Sequence, residues 1–447
     1  MRGETIHIRD PIHGTIGVST REIKLIDHPV FQRLRNIKQL GFADLAYPGA
    51  THTRYSHSLG AMHVATRLFD RLFSSVSLPE RVQARFRQAV RLAMMFHDVG
   101  HAPLSHTTEM LMPPVGELGL GHFAGLDVSR RASHEDYTLK MVLDSSLGAL
   151  VNALFEDDGI ISSDVAELIA GTTWQQSSGR FRHGGVDYGP ALRQLVSSEC
   201  DADRMDYLQR DSFFSGVSYG KFDADWLIDN VAPVEKDGAI YVGIKSRAIF
   251  SFEDFLLSRY HMFATVYLHY TPVIFENMLR RYFEDAEGEF ALPADVERYA
   301  LLDDFDLYMT LRKSRSVWAE RIVRRRAYAL LDERTITHRD DESLAFHEDL
   351  VSLLSEAGVD HLHSRSRSAL SKYWGSESGA KLFVLDGAGQ AMPIEDFTPL
   401  YERYERPAVL TRVFVDPDQR SKARKILAAL LDERRLEAQP NAPRAEA

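Results

Sequence analysis

The sequence predicts a mainly α protein, a helical core with short β-hairpins and a C-terminal α+β lobe. Three observations carry this. Apolar residues recur at helical spacing from Glu22 to about Ser218. Two short stretches, residues 5–18 and 236–250, instead alternate apolar and polar around turn residues. Beyond Pro293 the helical pattern continues to about residue 333 and then becomes mixed, with strand-like runs in KLFVLD (381–386) and LTRVFVD (410–416).

Composition limits the function classes. A chain of 447 residues is long enough for a large core or for two or three domains. Hydrophobic residues make up 44% and charged residues 26%, as in soluble globular proteins. Acidic residues outnumber basic ones by 64 to 53, a formal charge of -11. That balance argues against dedicated nucleic-acid binding, although a local basic groove stays open. The single cysteine, Cys200, excludes an intrachain disulfide and suits a reducing cytoplasm. The N-terminal stretch lacks the apolar core of a signal peptide. No apolar run approaches the ~20 residues of a membrane span. A cytoplasmic location with no membrane association is expected.

The elements follow in order. TIHIRDPIHGTIGV (5–18) is expected to form a hairpin around Asp10-Pro11 and His13-Gly14. Asp27 precedes HPVFQRLRNIKQL, where Pro29 fits the start of a helix. PGATHTRYSH (48–57) reads as a loop running into a helix. Residues 113–133 read as a lid or a surface loop, and the Gly-rich 177–190 as a break before a helix over 191–211. A hairpin is expected at 236–250 and one long helix at about 252–286. The basic runs RVQARFR (81–87), RIVRRR (321–326) and HLHSRSRS (361–368) read as solvated helix faces. Residues 1–290 are expected to form the core, 291–433 the C-terminal lobe and 434–447 a disordered tail.

The chemistry begins where an oily helix stops. Val90, Leu92, Ala93, Met94, Met95 and Phe96 suit a buried core, yet His97, Asp98, His101 and His106 follow at once. Burying so many titratable groups is costly unless something satisfies them, and a metal ion would. His97 and His101 are four apart, one turn of a helix. HTRYSHSLG puts His57 at the start of another helix, and CDADRMDYLQRD supplies Asp203, Asp206, Tyr207, Arg210 and Asp211. His57, His97, Asp98 and Asp203 would make a two-nitrogen, two-oxygen set. Such a set accepts Mn, Mg, Fe, Zn or Ni as the divalent ion.

These blocks together resemble the HD-domain phosphohydrolases, whose signature is H…HD…D. DPIHG (10–14), FQRLRNIKQLG (31–41), PGATHTRYSHSLG (48–60), FHDVGHAPLSH (96–106), HE (134–135) and DADRMDYLQRD (201–211) occur in the family's order. More narrowly, the chain is similar to the deoxynucleoside triphosphate triphosphohydrolase branch that includes the mammalian SAM-and-HD-domain enzyme. No sterile-alpha-motif domain is expected ahead of the hairpin, which opens almost at Met1.

The resemblance implies an HD-domain helical core and a metal-dependent hydrolase with His57, His97, Asp98 and Asp203 as ligands. Asp201 is then left to cap a helix. It implies phosphate contacts for Arg54, Arg204 and Arg259, phosphate or sugar contact for Tyr207, and sugar contact for Tyr267. Asp211 is implied at the 3′-hydroxyl, with Gln39 and Leu40 beside the sugar. His101, His106 and His134 are implied along the phosphate path, with His134 and Glu135 a proton-transfer pair. Binding of a second metal by the three histidines stays open. Asp27, Gln32 and Arg35 match residues that hold an activating guanine nucleotide, although Ile6 stands where a Lys is expected. Phe263 and Tyr270 replace a His and a Lys of the mammalian enzyme. The implied substrate is a deoxynucleoside triphosphate and the implied assembly a homodimer or tetramer. An HD enzyme for another phosphate ester, or a nucleotide-sensing or nucleic-acid-binding oligomer, are the alternatives.

Overall fold

The computed structural model describes residues 5–121, 127–171, 178–336, 341–368, 382–400 and 408–437. The chain divides into two compact units. The first comprises Met1–Tyr267, Gly288–Thr310 and Leu370–Glu405. The second comprises Leu268–Glu287, Leu311–Ala369 and Arg406–Ala447. Helices dominate, as the periodicity predicts. Among the described residues, no single helix is long and apolar enough to cross a membrane.

In the first unit, strands Thr5–Asp10 and Gly14–Ser19 pair antiparallel from Thr5↔Ser19 to Asp10↔Gly14. Gly14 closes the turn at φ 72°, a conformation glycine adopts without a steric penalty. Ser19 and Glu22 form a capping box that starts helix Thr20–Ile26. The core is built on helices Arg54–Leu72, Glu80–Phe96 and Ala202–Ser215. Val90 and Leu92 through Phe96 are fully buried, so the oily run ends inside the protein at His97.

Several boundaries differ from expectation. The helix expected over 191–211 is two, Gly189–Val196 and Ala202–Ser215. Asp201 makes the break by capping the second, its side chain accepting from the Arg204 N–H. The second hairpin is Val231–Lys236 with Ala239–Lys245, turning at Asp237-Gly238. The long helix at 252–286 is also two. Ile249–Met262 runs into a π-helical turn at Phe263–Tyr267, and helix Tyr270–Asp285 starts afresh with His269 as its cap. Pro272 dictates the restart, since a helix interior does not accommodate its ring and missing N–H.

The second unit contains a three-stranded sheet with strand Ala408–Val415 between Ala329–Ile336 and His361–Ser368. Both outer strands correct the helical expectation. Leu330, Leu331 and Glu333 have good helix propensity, and HLHSRSRS alternates too weakly to signal a strand, so pairing decides both. Helices Asp341–Glu356 and Arg420–Glu437 pack on this sheet through Leu350, Leu354, Val413, Val415, Ala423 and Leu430. Residues 122–126 of the expected lid or surface loop and most of the expected 434–447 tail lie outside the described residues.

Candidate metal centre and phosphate site

His57 projects from the first turn of helix 54–72, His97 and Asp98 from the end of helix 80–96, and Asp203 from the first turn of helix 202–215. The fold brings all four together. His57 Nε2 lies 3.3 Å from His97 Nε2 and 3.0 Å from Asp203 Oδ1. Asp98 oxygens lie 3.5 Å from His57 Nε2 and 3.4 Å from His97 Nε2. The Asp203 side chain is 34% exposed and forms the open lip of this otherwise buried group.

The far side of each ring explains the arrangement. His97 Nδ1 is 2.7 Å from the Met94 carbonyl, which can only accept, so Nδ1 carries the proton. His57 Nδ1 is 2.7 Å from Asp206 Oδ2. Asp206 is buried, but the guanidinium of Arg210 holds its carboxyl well below the usual range despite that burial. It is therefore an acceptor as well. In their neutral forms both rings direct Nε2 lone pairs at each other beside two carboxylates. A divalent cation fits that donor set, and outer partners that fix the tautomer are what imidazole ligands require. HD domains bind divalent metal ions, and His57, His97 and Asp203 could hold one here.

Arg54 sits against this group. Its Nη1 donates to Asp98 Oδ2 at 2.6 Å and its Nε to Ser105 Oγ at 2.9 Å. Burial would raise the Asp98 carboxyl, yet Arg54 and the histidines hold it well below the ordinary range. Ser105 belongs to a sharp corner in which Leu104 and Ser105 take φ 57° and 58°. A buried leucine in that region is strained and must be held by its surroundings. Asp304 does this, accepting from the Leu104 N–H at 2.7 Å and the Lys38 N–H at 3.0 Å. Residues 37–39 run beside 52–54, with Gln39 N–H donating to the His52 carbonyl and Arg54 Nη2 donating to the Gln39 carbonyl at 3.5 Å; Leu40 follows Gln39 in the chain.

A second cluster follows the HD pair. The rings of His101 and His134 stack at 3.9 Å, and His106 stands edge-on to both at 4.8 and 5.0 Å. Burial, with Arg54 nearby, pushes His101 well below the ordinary imidazole range. The acid that meets His134 is Glu109: its Oε1 lies 2.5 Å from His134 Nδ1 and 2.9 Å from His106 Nδ1. Burial would raise Glu109, but the two imidazoles hold it below the usual carboxylate range. Glu135, expected as the partner of His134, is exposed. Sequence adjacency suggested it, but at the start of helix His134–Asp144 neighbouring side chains diverge. His101, His106, Glu109 and His134 also have ligand atoms within 4.8 Å of one another, close enough for a second ion.

The third group flanks the metal residues. The Tyr207 ring is 6.5 Å from His57 and 6.2 Å from Tyr267. The Tyr267 hydroxyl donates to Asp211 Oδ2 at 2.7 Å, and His52 Nε2 meets Asp211 Oδ1 at 2.7 Å. Arg204 pairs with Asp201 at 2.9 Å, and Arg259 lies 3.6 Å from Glu199 and 5.4 Å from the Phe263 ring centre. Both guanidiniums are electrostatic neighbours of the Tyr207 hydroxyl. Asp27 and Arg35 are exposed elsewhere in the unit. Gln32 Oε1 accepts from Arg35 Nε at 2.7 Å, and the Arg35 guanidinium lies 3.6 Å over the Tyr55 ring. Sequence reasoning missed Glu109, His52 and the role of Asp206.

A helical core that gathers two histidines and two aspartates at the ends of its helices has the arrangement of an HD domain. The family model of the HD domain matches residues 54–211, and that of the HD associated region matches 222–346. The chain is an HD-domain protein, its HD domain followed by an HD associated region. An uncharacterized protein of Methanocaldococcus jannaschii is 32% identical over 72% of this chain and 58% of its own length. Human deoxynucleoside triphosphate triphosphohydrolase SAMHD1 is 27% identical over 68% of this chain and 49% of its own length. The chain thus spans about half the length of these curated relatives. The crystal structure of a hypothetical protein from Aquifex aeolicus superposes with a TM-score of 0.73 at 27% identity, covering 95% of this chain and 100% of that one.

Proposed function

We propose that the protein hydrolyses deoxynucleoside triphosphates to deoxynucleoside and intact triphosphate. The observation that carries this reading is the unbroken run of side chains from the metal group to the sugar candidates. His57 adjoins Tyr207, Tyr207 adjoins Tyr267, and Tyr267 bonds Asp211. Asp211 would accept from a 3′-hydroxyl, and Leu40 beside Gln39 would crowd a 2′-hydroxyl. Similarity to SAMHD1 supports the same substrate class.

His57, His97, Asp98 and Asp203 would hold a divalent ion, which would supply charge neutralisation and make a nearby water more acidic. The chain supplies the rest. Arg54, fixed on Asp98 and Ser105, faces the α-phosphate, and Arg204 and Arg259 hold the outer phosphates by charge-assisted hydrogen bonds. Water adds to the α-phosphorus and gives up a proton to solvent, from which the donating imidazole is later reprotonated, the bond to the 5′-oxygen breaks, and that oxygen takes up a proton. His134 or His106, oriented by Glu109, gives it.

The test is hydrolysis of all four deoxynucleoside triphosphates in ¹⁸O-water, with Mn²⁺ and with or without GTP. Label should appear in triphosphate alone. Label in a nucleoside monophosphate, or release of orthophosphate, would overturn the reading in favour of an HD hydrolase for another phosphate ester.

A further inference from the structure

The turn of the N-terminal hairpin reaches the metal group through a single carboxylate. Asp10 Oδ1 accepts from the backbone N–H of Ile12 at 2.9 Å and of His13 at 2.9 Å, which shapes the turn. His13 Nε2 then lies 2.6 Å from Asp206 Oδ1. Arg210 ties the same parts together. It donates to Asp10 Oδ2 at 2.9 Å, and to both oxygens of Asp206 at 2.9 Å. Asp206 Oδ2 completes the path at His57 Nδ1, 2.7 Å away.

This path is built rather than incidental. Asp206, Arg210 and His57 are all fully buried. A Cβ on Gly60 would come 2.0 Å from Asp206 Oδ1 and 2.2 Å from Arg210 Nη2. Glycine is therefore needed at that point of helix 54–72 to admit the pair. Asp206 meets His13, His57 and both donors of Arg210, which saturates a carboxylate that can only accept. With its other donors fixed, the oxygen facing His57 keeps one position, and the His57 proton stays on Nδ1.

We propose that the Asp10–His13 turn is a positioning arm of the metal centre. His13, acting through Asp206, holds His57 in the tautomer and orientation that a ligand needs. The turn lies outside residues 54–211, which match the HD domain, so an element N-terminal to that domain sets the quality of its metal site. The inference rests on His57 being a ligand and not on which nucleotide is hydrolysed.

Mn²⁺ titration of chelator-stripped full-length protein, read by electron paramagnetic resonance, tests it without substrate. His13→Ala should weaken Mn²⁺ binding about 10–100-fold, the usual cost of losing an outer partner of a ligand. His13→Gln, which keeps an N–H near the Nε2 position, should recover most of that loss. Asp10→Asn, which loosens the turn and leaves His13 in place, should weaken binding in the same direction. Circular dichroism and melting temperature report folding, and if His13→Ala does not fold, the His13→Gln and Asp10→Asn titrations decide. Wild-type Mn²⁺ affinity in folded His13→Ala would overturn the proposal, as would a Gln variant as weak as the Ala variant. The control is His57→Ala. Wild-type binding there would mean that the ligand assignment has failed, and not the positioning arm alone.

Discussion

His97 offers the cleanest substitution in the metal group, because its far nitrogen bonds only the Met94 carbonyl and its loss strands no other side chain. His97→Ala should bind no stoichiometric Mn²⁺ and hydrolyse nucleotide at background rate while its circular dichroism stays native. Full activity in the metal-free, folded variant would remove the basis for the ligand set. Glu109 tests the next group. Glu109→Gln cannot hold two imidazoles by charge, so the turnover number should fall ~10²–10⁴-fold with Mn²⁺ binding at His57, His97, Asp98 and Asp203 unchanged. Asp304 gives a pH signature. Burial pushes its carboxyl up to about 6 even though two backbone N–H groups face it. Between about pH 4 and 6 the folded protein keeps a proton that the unfolded chain releases. This contribution to stability is present at low pH and is lost as pH rises through that window. The stability of Asp304→Asn relative to the natural protein should therefore rise by up to ~2 kcal/mol from pH 4 to 6. Denaturant unfolding at several pH values measures it, and a flat difference would mean that Asp304 is ionised throughout. The four candidate ligand residues were legible because each lies in a short motif at helical spacing. Their supports were not. Asp206 meets His57 from 149 residues away, His13 meets Asp206 from 193, and His52 meets Asp211 from 159. No local pattern announces such pairs.

At the scale of elements, the histidines of the second cluster stay aligned because a helix closes on the backbone at a glycine. Gly100, between Asp98 and His101, has no room for a side chain. A Cβ there would lie 2.1 Å from the His134 carbonyl oxygen and 2.3 Å from the Thr138 N. Helix 134–144 therefore packs directly on the backbone after the HD pair, with Thr138 Oγ1 accepting from Gly100 N–H and donating to the His97 carbonyl. That contact is what stacks His134 on His101. Gly100→Ala must push the helix away, and overpacking of this kind costs about 1–3 kcal/mol. A lower melting temperature with Mn²⁺ binding retained, and activity lost, is the expected combination. A variant with unchanged activity would show that the His101–His134 stack tolerates displacement. Helices were legible where apolar periodicity is strong, as in 80–96. They were misread where propensity and tertiary pairing disagree. ALLDERTI reads as helix on propensity yet becomes a strand because Ala408–Val415 pairs with it.

For the whole molecule, the open matter is control by a second nucleotide and by assembly. Asp27, Gln32 and Arg35 carry the groups a guanine nucleotide would need. A carboxylate accepts from the N–H donors of the guanine edge, an amide serves its carbonyl, and a guanidinium binds phosphate. Arg35 already rests over the Tyr55 ring at 3.6 Å, and Tyr55 is next in sequence to Arg54, the arginine bonded to Asp98. A ligand that draws Arg35 off Tyr55 would act one residue from the phosphate site, which gives the two sites a physical route to couple. Couplings of this sort amount to 5–150-fold in affinity. The expected outcome is that GTP, itself unhydrolysed, lowers the deoxynucleoside triphosphate concentration needed for half-maximal rate by several-fold. Arg35→Ala should lose most of that effect. Light scattering should show a dimer or tetramer, with GTP shifting the balance to the larger form. Among the described residues, Ala329–Ile336 and His361–Ser368 are the outer strands of their sheet, and such edges offer surface for contacts of this kind. A monomer at every nucleotide concentration, with rates indifferent to GTP, would assign the Asp27–Arg35 cluster to packing around Tyr55. The proposed hydrolysis would then be controlled by substrate and metal alone.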